Sequence, residues 1–306
     1  MKKIVLLLLI LIILFGASGY IFFSSKIKIA STDNSSMKTN AATRYLLQEE
    51  NWRKWWPGGN VFQYGDIDFI LEAKKLNSFE MHLVYKKDTI PALLQIIPLN
   101  NDSTAFFWSC EIISSNNPFT RWVQYFNARH IKKCLNTLIG SLKNYIDKEE
   151  NVYGFKVKKT KVMDSVLIST RHIFINYPDD EKIAEMVQQL KNYIKIQNAA
   201  EKNYPMLNVH QSGTNEYEVM VAIATDKLLP ATAEFAPKLV LKGGNILEAG
   251  FKGGPTSTKK AFEEFENYKL DYHYISPAIP YQLMVTDRMK EKDTNIWITK
   301  FYYPIF

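Results

Sequence analysis

The chain has 306 residues, 46% hydrophobic and 13% aromatic, which excludes a disordered polypeptide and leaves room for two ordinary domains. Its net charge of +7 divides into +5 over residues 1–150 and +2 over 151–306 without a basic stripe, which argues against a nucleic-acid-binding surface. Two cysteines, Cys110 in a strand-like run and Cys134 in a helical one, exclude a disulfide scaffold or a zinc ribbon and read as buried small hydrophobes.

In chain order, Lys2 and Lys3 precede an apolar run from Ile4 to Phe23, about the 20 residues a helix needs to cross a bilayer core. A secretory signal has a shorter apolar centre and a small-x-small cleavage site. Here apolar residues continue past Gly16, Ala17 and Ser18, which favours an uncleaved membrane anchor over residues 1–25. The two lysines favour a cytoplasmic N-terminus, the arrangement of a single-pass protein of the bacterial inner membrane with extracytoplasmic domains, although Lys26 and Lys28 on the far side oppose it.

Residues 26–150 begin with the alternating strand "KIKIAS", a polar linker at 31–38 and a short helix at about 39–49. Three tryptophans, Trp52, Trp55 and Trp56, then stand just before Pro57-Gly58-Gly59. Period-two runs follow over "VFQYGDIDFILEAKK", "SFEMHLVYKK", "PALLQIIPLN" and "STAFFWSCEIISS", separated by Asn, Asp, Ser and Pro turns, the mark of antiparallel strands. The period then changes: Phe119, Trp122, Phe126, His130, Cys134, Leu138, Leu142 and Ile146 form the apolar stripe of a long helix, which "DKEEN" at 147–151 dissolves into a charged linker. A helix of that length covers the apolar face of such a sheet. The element order, with Asn51, Trp52 and Trp55 after the first helices, resembles the SRPBCC or START-like helix-grip family over about residues 26–147. The tryptophans either plug the end of the grip, each indole N–H finding an acceptor, or contribute Trp55 to a cavity mouth. His130 in the helix stripe is a hydrogen-bonded core residue or a ligand contact.

Residues 151–306 show one pattern twice. "SVLISTRHIFI", "DDEKIAEMVQQLKNYIKI", "PMLNVHQ" and "YEVMVAIAT" give strand, helix, strand, strand; "NILEAGFKGG", "TSTKKAFEEFENYKL", "PYQLMVTDR" and "IWITKFYYPIF" repeat it. The lysine-rich "KVKKTK" at 156–161 alternates as an edge strand. With "YPMLNV", "VAIAT", "GGP" and "ITKFYYPI", this half resembles the GyrI-like small-molecule-binding, or effector-binding, family. The resemblance implies a groove between the repeats, lined by aromatics and often holding an acid that accepts cationic apolar ligands. Where many members carry a Glu and a Tyr on the penultimate strand, this chain has Gln282 and Met284, preceded by Tyr281. Glu218 and Glu248 are the strand acids available instead, and Tyr177, Tyr193, Tyr268, Tyr281 and Trp297 are the candidate lining residues.

The five histidines lie scattered without metal-ligand spacing, and no nucleophile elbow or phosphate-binding glycine loop is present. No catalytic residue, metal or cofactor is therefore assigned. The sequence points to an α+β chain in three parts, an anchor at 1–25, a helix-grip domain at 26–150 and an effector-binding domain at 151–306. It would sense or sequester an apolar or amphipathic small molecule, with the membrane as its second partner and no nucleic acid. The alternative is a hydrolase or cyclase acting in one of the cavities.

Overall fold

The computed structural model describes residues 2–100 and 103–306, without the side chains of Lys2, Lys3, Val5 and Asn100. The chain divides into two compact units, Met1–Val152 and Tyr153–Phe306, each a mixed α+β structure built on one antiparallel sheet.

The first unit opens with helix α1 (Lys2–Ile21), whose side chains at Ile4 and from Leu6 to Leu14 are 48–66% exposed. No helix among the described residues is long and apolar enough to cross a membrane. The expected transmembrane anchor is therefore not supported among the described residues. Lys2 and Lys3, on which the expected orientation rests, lie outside the described side chains.

Strand β1 (Lys26–Ser35), helix α2 (Thr39–Leu47), a 3-10 turn at Glu49–Asn51 and helix α3 (Trp52–Trp55) follow. They lead into β2 (Gln63–Tyr64), β3 (Ile67–Lys75), β4 (Ser78–Tyr85), β5 (Asp88–Asn100) and β6 (Ser103–Ile113), then α4 (Pro118–Ile146). The sheet order is β1-β6-β5-β4-β3-β2, so the first strand lies beside the last. Strict alternation drives the burial: Phe79, Met81, Leu83 and Tyr85 of β4 point inward.

Two boundaries differ from the sequence reading. Strand β1 continues through the polar residues expected as linker, because it pairs with β6 as far as Ser35↔Thr104 and buries Ser31 and Ser35. Strand β5 starts at Asp88, three residues ahead of the run expected from Pro91, and continues through both prolines. Pro91 lies one residue before pairing with β6 begins at Ala92, and Pro98 adjoins a register shift, positions where a missing N–H is tolerated.

Asn117 caps α4, its Oδ1 accepting from the amides of Phe119 (2.9 Å) and Thr120 (3.4 Å), with Pro118 in the first turn. From Ile131 to Ile146 the helix buries one face, including Cys134, Leu135, Leu138 and Leu142. Its first turns depart from the expected buried stripe: Phe119, Val123 and Phe126 are about half exposed, while Trp122 stacks on Phe15 of α1 at 5.1 Å. A β-carbon on Gly19 would lie 2.9 Å from the Pro118 carbonyl oxygen, so a residue without a side chain is needed where α1 and α4 approach.

At the other end of α4, Asp147 accepts from the Ser35 hydroxyl (2.7 Å) and the Ser36 amide (2.9 Å) and pairs with Lys143 (3.2 Å). Burial alone would raise its pKa, but these hydrogen bonds outweigh it and hold the carboxyl below its ordinary range. A depressed folded pKa stabilises above the unfolded value and loses that contribution as pH falls through the folded one. The first unit should therefore weaken in acid below about pH 4, and Asp147→Asn should lower stability at pH 7 while flattening this acid limb in urea titrations at several pH values.

The charged stretch expected as a linker is helical, α5 (Glu149–Tyr153). The second unit then contains β7 (Val157–Lys161), β8 (Val166–Ile175), α6 (Asp180–Ile196), β9 (Met206–Gln211), β10 (Glu216–Ala224), β11 (Ala236–Leu239), β12 (Asn245–Lys252), α7 (Pro255–Asp271), β13 (Tyr281–Met284) and β14 (Ile298–Pro304). The sheet order is β11-β8-β10-β9-β13-β14-β12-β7. Hence β8-α6-β9-β10 and β12-α7-β13-β14 occupy equivalent places on either side of β9 and β13, the duplication seen in the sequence. The lysine-rich β7 forms one edge. Only two residue pairs, Gln282↔Leu207 and Leu283↔Met206, register β13 on β9.

Candidate functional site

Strand alternation divides the second unit's sheet into two faces. Ile168, Leu207, Val219, Val221, Ile223 and Met284 pack beneath Ile183, Met186, Leu190 and Ile194 of α6. Leu207 pairs with Gln282 and Gln282 with Phe301, which packs on Phe265 of α7, so both helices cover this same face. Leu167, Met206, Ala222, Ala224 and Leu283 form a separate cluster on the other face, with Tyr281, Tyr302 and Val240 against it.

Since α6 and α7 lie on the first face, the second is left to strands and loops among the described residues of this unit, and it holds a groove of about 600 Å³, within the size range of small-molecule sites. Its floor includes Leu167, Met206, Asn208, Met220, Ala222 and Tyr281. One wall is the segment from Lys238 to Ile246 with Lys161, Val162 and Asp164; the other is Pro277–Ile279 with the last residues of the chain.

Two carboxylates, Asp164 and Glu248, act on Tyr281. Tyr281 stacks on Tyr302 with ring centres 5.1 Å apart. The Tyr302 hydroxyl donates to Glu248 (2.9 Å), whose other oxygen pairs with Lys300 at 3.2 Å. Asp164 accepts from the Asn203 amide at 2.9 Å. Burial first, then the charges of Asp164 and Glu248, push the Tyr281 phenol far above its usual range. Burial and the Glu248 hydrogen bond do the same to Tyr302. Both phenols are thus neutral donors at physiological pH, next to two carboxylates.

Of the eight residues expected to contact ligand, Tyr281 alone lines this groove. Glu218 shares its face with Met220 and Ala222 but pairs with Arg171 (3.3 Å) on the neighbouring strand. Tyr193 lies on the helix side, its hydroxyl donating to the Pro230 carbonyl (2.8 Å) and its ring stacked on Phe235. Tyr268 is buried on α7 between Tyr153 and Tyr272. The Trp297 indole donates to the Glu291 carbonyl (2.9 Å) under the Arg288 guanidinium. Tyr177 packs edge-on against Tyr217.

In the first unit, rings fill the space between sheet and helix. Trp52 touches Trp55, Trp56, Phe62 and Phe79, and Trp56 reaches Phe69 and Trp108, with centroids 5.1–6.2 Å apart throughout the cluster. Trp55 is buried inside this plug. The indoles of Trp52 and Trp56 donate to the Leu46 and Gln63 carbonyls (2.7 and 2.8 Å). The expectation that each indole N–H finds an acceptor fails at Trp55, which like Trp108 has no protein partner among the described residues. His130 faces outward from α4, bonded to Asp66 (2.7 Å) and stacked on Tyr85, and is not a core residue. Cys110 and Cys134 are free and buried, and burial pushes the Cys110 thiol up to about 12.

The sequence departed from the groove in two respects. The Glu248–Tyr302 pair joins residues 54 positions apart, and strand register alone brings them together. The wall from Lys238 to Gly244 carries a legible signal, alternating Leu239 and Leu241 before Gly243-Gly244, but no strand was expected there.

No family profile matches the sequence, and no curated protein matches it. Solved structures with which it shares similarity include the EcmrR C-terminal domain, at 13% identity and a TM-score of 0.43, covering 50% of this chain and 98% of that one. SAV2435 bound to tetraphenylphosphonium matches at 14% identity and a TM-score of 0.36, over 49% of this chain and 94% of that one. A hydrolase from Listeria innocua matches at 10% identity and a TM-score of 0.35, over 49% and 92%.

Proposed function

We propose that the second unit is a GyrI-like domain that binds an amphipathic small molecule on the uncovered face of its sheet. The observation that carries this reading is the groove of about 600 Å³, apolar along its floor, with Tyr281 and Asp164 in its lining and Glu248 held behind them by Tyr302. Apolar surface of the ligand laid on Leu167, Met206 and Ala222 leaves water, at roughly 25 cal/mol per Å². Its polar end lies toward Tyr281, Asp164 and Glu248, where a cationic head meets two carboxylates and two aromatic faces. The first unit, with its ring-filled interior, is a helix-grip scaffold in this reading.

The same proposal seats α1 in a lipid bilayer, with the two units outside the cytoplasm. Its support is the exposure of leucines and isoleucines all along α1, continued by Phe119, Val123 and Phe126 of α4. A hydrolase reading has one observation in its favour, the Tyr302–Glu248 hydrogen bond. Against it, Glu248 keeps Lys300 as partner and about a quarter of its side chain in solvent.

Isothermal titration of the detergent-solubilised chain with tetraphenylphosphonium and with neutral and anionic amphiphiles of similar size tests the site. Tyr281→Ala should weaken the tightest-bound of them by about tenfold, the scale of a lost aromatic contact, and Glu248→Gln should weaken only the cation. Binding by none of the three, or binding indifferent to Tyr281, sinks the reading.

A further inference from the structure

The mouth of the groove is not polar. Leu239 and Leu241 line it and are 75% and 79% exposed, and Ile279 on the facing wall is 48% exposed. Met163, between the lining residues Val162 and Asp164, and Ile275, two residues before Pro277, are likewise exposed. Large apolar side chains grouped this way around an opening mark an interaction surface.

The backbone holds them there. The Val240 amide donates to the Ser165 carbonyl (3.0 Å), Gly243 donates to Val162 (2.8 Å), and Val162 donates back to Gly244 (2.9 Å). Gly243 takes a φ of +82°, which a side chain disfavours, to make that turn. The opposite rim is tied by the Asn208 amide to the Pro280 carbonyl (2.9 Å) and by the Phe306 amide to Ile275 (3.2 Å). Both rims are therefore fixed with their leucines and isoleucines outward. Lys238 and Lys242 flank Leu239 and Leu241, and Lys161 stands on the same wall.

We infer that this rim is a membrane-docking surface through which the groove exchanges its ligand directly with an anionic lipid leaflet. Apolar side chains that enter the acyl boundary, flanked on one wall by lysines at headgroup level, match a lipid surface in both polarity and charge. The groove then opens onto the hydrocarbon phase, where an amphipathic ligand partitions. This inference rests on the groove being a ligand site, and it does not require α1 to be inserted.

The test uses the full chain, labelled at Leu241→Cys with an environment-sensitive fluorophore, the native cysteines being buried. Labelling at Glu181→Cys, on exposed α6 surface, gives the reference. On phosphatidylcholine vesicles with one fifth phosphatidylserine, the label at 241 should shift to the blue and be quenched by brominated lipid, while that at 181 is not. A label at 241 that stays water-like on vesicle-bound protein overturns the inference. So does a blue shift that grows with protein concentration without lipid, which would assign the rim to a second copy.

Met163→Ser with Ile275→Ser, at exposed residues beside the mouth but outside the groove lining, should slow uptake of a vesicle-borne fluorescent long-chain amine by about a hundredfold, the lower end of the scale for two apolar side chains withdrawn from the lipid. Its affinity for tetraphenylphosphonium in detergent should not change. Equal uptake rates overturn the docking surface. Loss of tetraphenylphosphonium binding by the unaltered chain strikes the ligand reading instead, and leaves the lipid contact at 241 to be judged by its own fluorescence.

Discussion

Trp52→Ala is expected to lower the stability of the first unit by about 3–5 kcal/mol, the range for removing a fully buried aromatic ring. Trp52 has no exposed surface, contacts four other rings and donates its indole N–H to the Leu46 carbonyl at 2.7 Å. The truncation thus opens a cavity and leaves a buried carbonyl without its donor. For a unit of this size the melting temperature should fall by roughly 10 °C. Hydrogen exchange read by mass spectrometry should show faster exchange in peptides of β3, β4, β6 and α4, with peptides of the second unit unchanged. Loosening spread equally over the chain would mean that the two units unfold together.

Phe301→Ala is the counterpart in the second unit, again at about 3–5 kcal/mol. Phe301 is fully buried on β14 and touches Phe155, Phe251, Phe262 and Phe265, so it ties α7 to the second repeat. Protection should be lost first in α7, β12 and β14, with α6 and β8 following only partly. The groove floor at Met206 and Ala222 belongs to the first repeat. If α6 loses protection as fast as α7, the repeats form one cooperative block and not two.

Local pattern made much of this fold legible. Period-two runs placed β3, β4 and β6, and period-3.6 runs placed α4, α6 and α7, because in each the buried face repeats at the spacing of the element itself. The duplication was visible for the same reason. What local pattern missed was decided by pairing at a distance: β1 reaches Ser35 because β6 lies alongside. At the site, Tyr281 was legible as an aromatic at a strand start. The other expected aromatics serve packing, since a sequence shows that a tyrosine is on a helix but not which side of the sheet that helix covers. His130 fell on the right helix and the wrong side, where Asp66 supplies its partner.

The seam between β9 and β13 has a mechanical consequence. Each half-sheet is stitched internally by long ladders, nine residue pairs between β10 and β8 and seven between β12 and β14, whereas two pairs join the halves. A plate scored so lightly across its middle flexes along that line before it bends elsewhere, and Met206 and Tyr281 stand on opposite banks of the score. A change in the angle between the two leaves would be opposed chiefly by the contacts that Met284 makes with the α6 cluster and Leu283 with Met206 across that line.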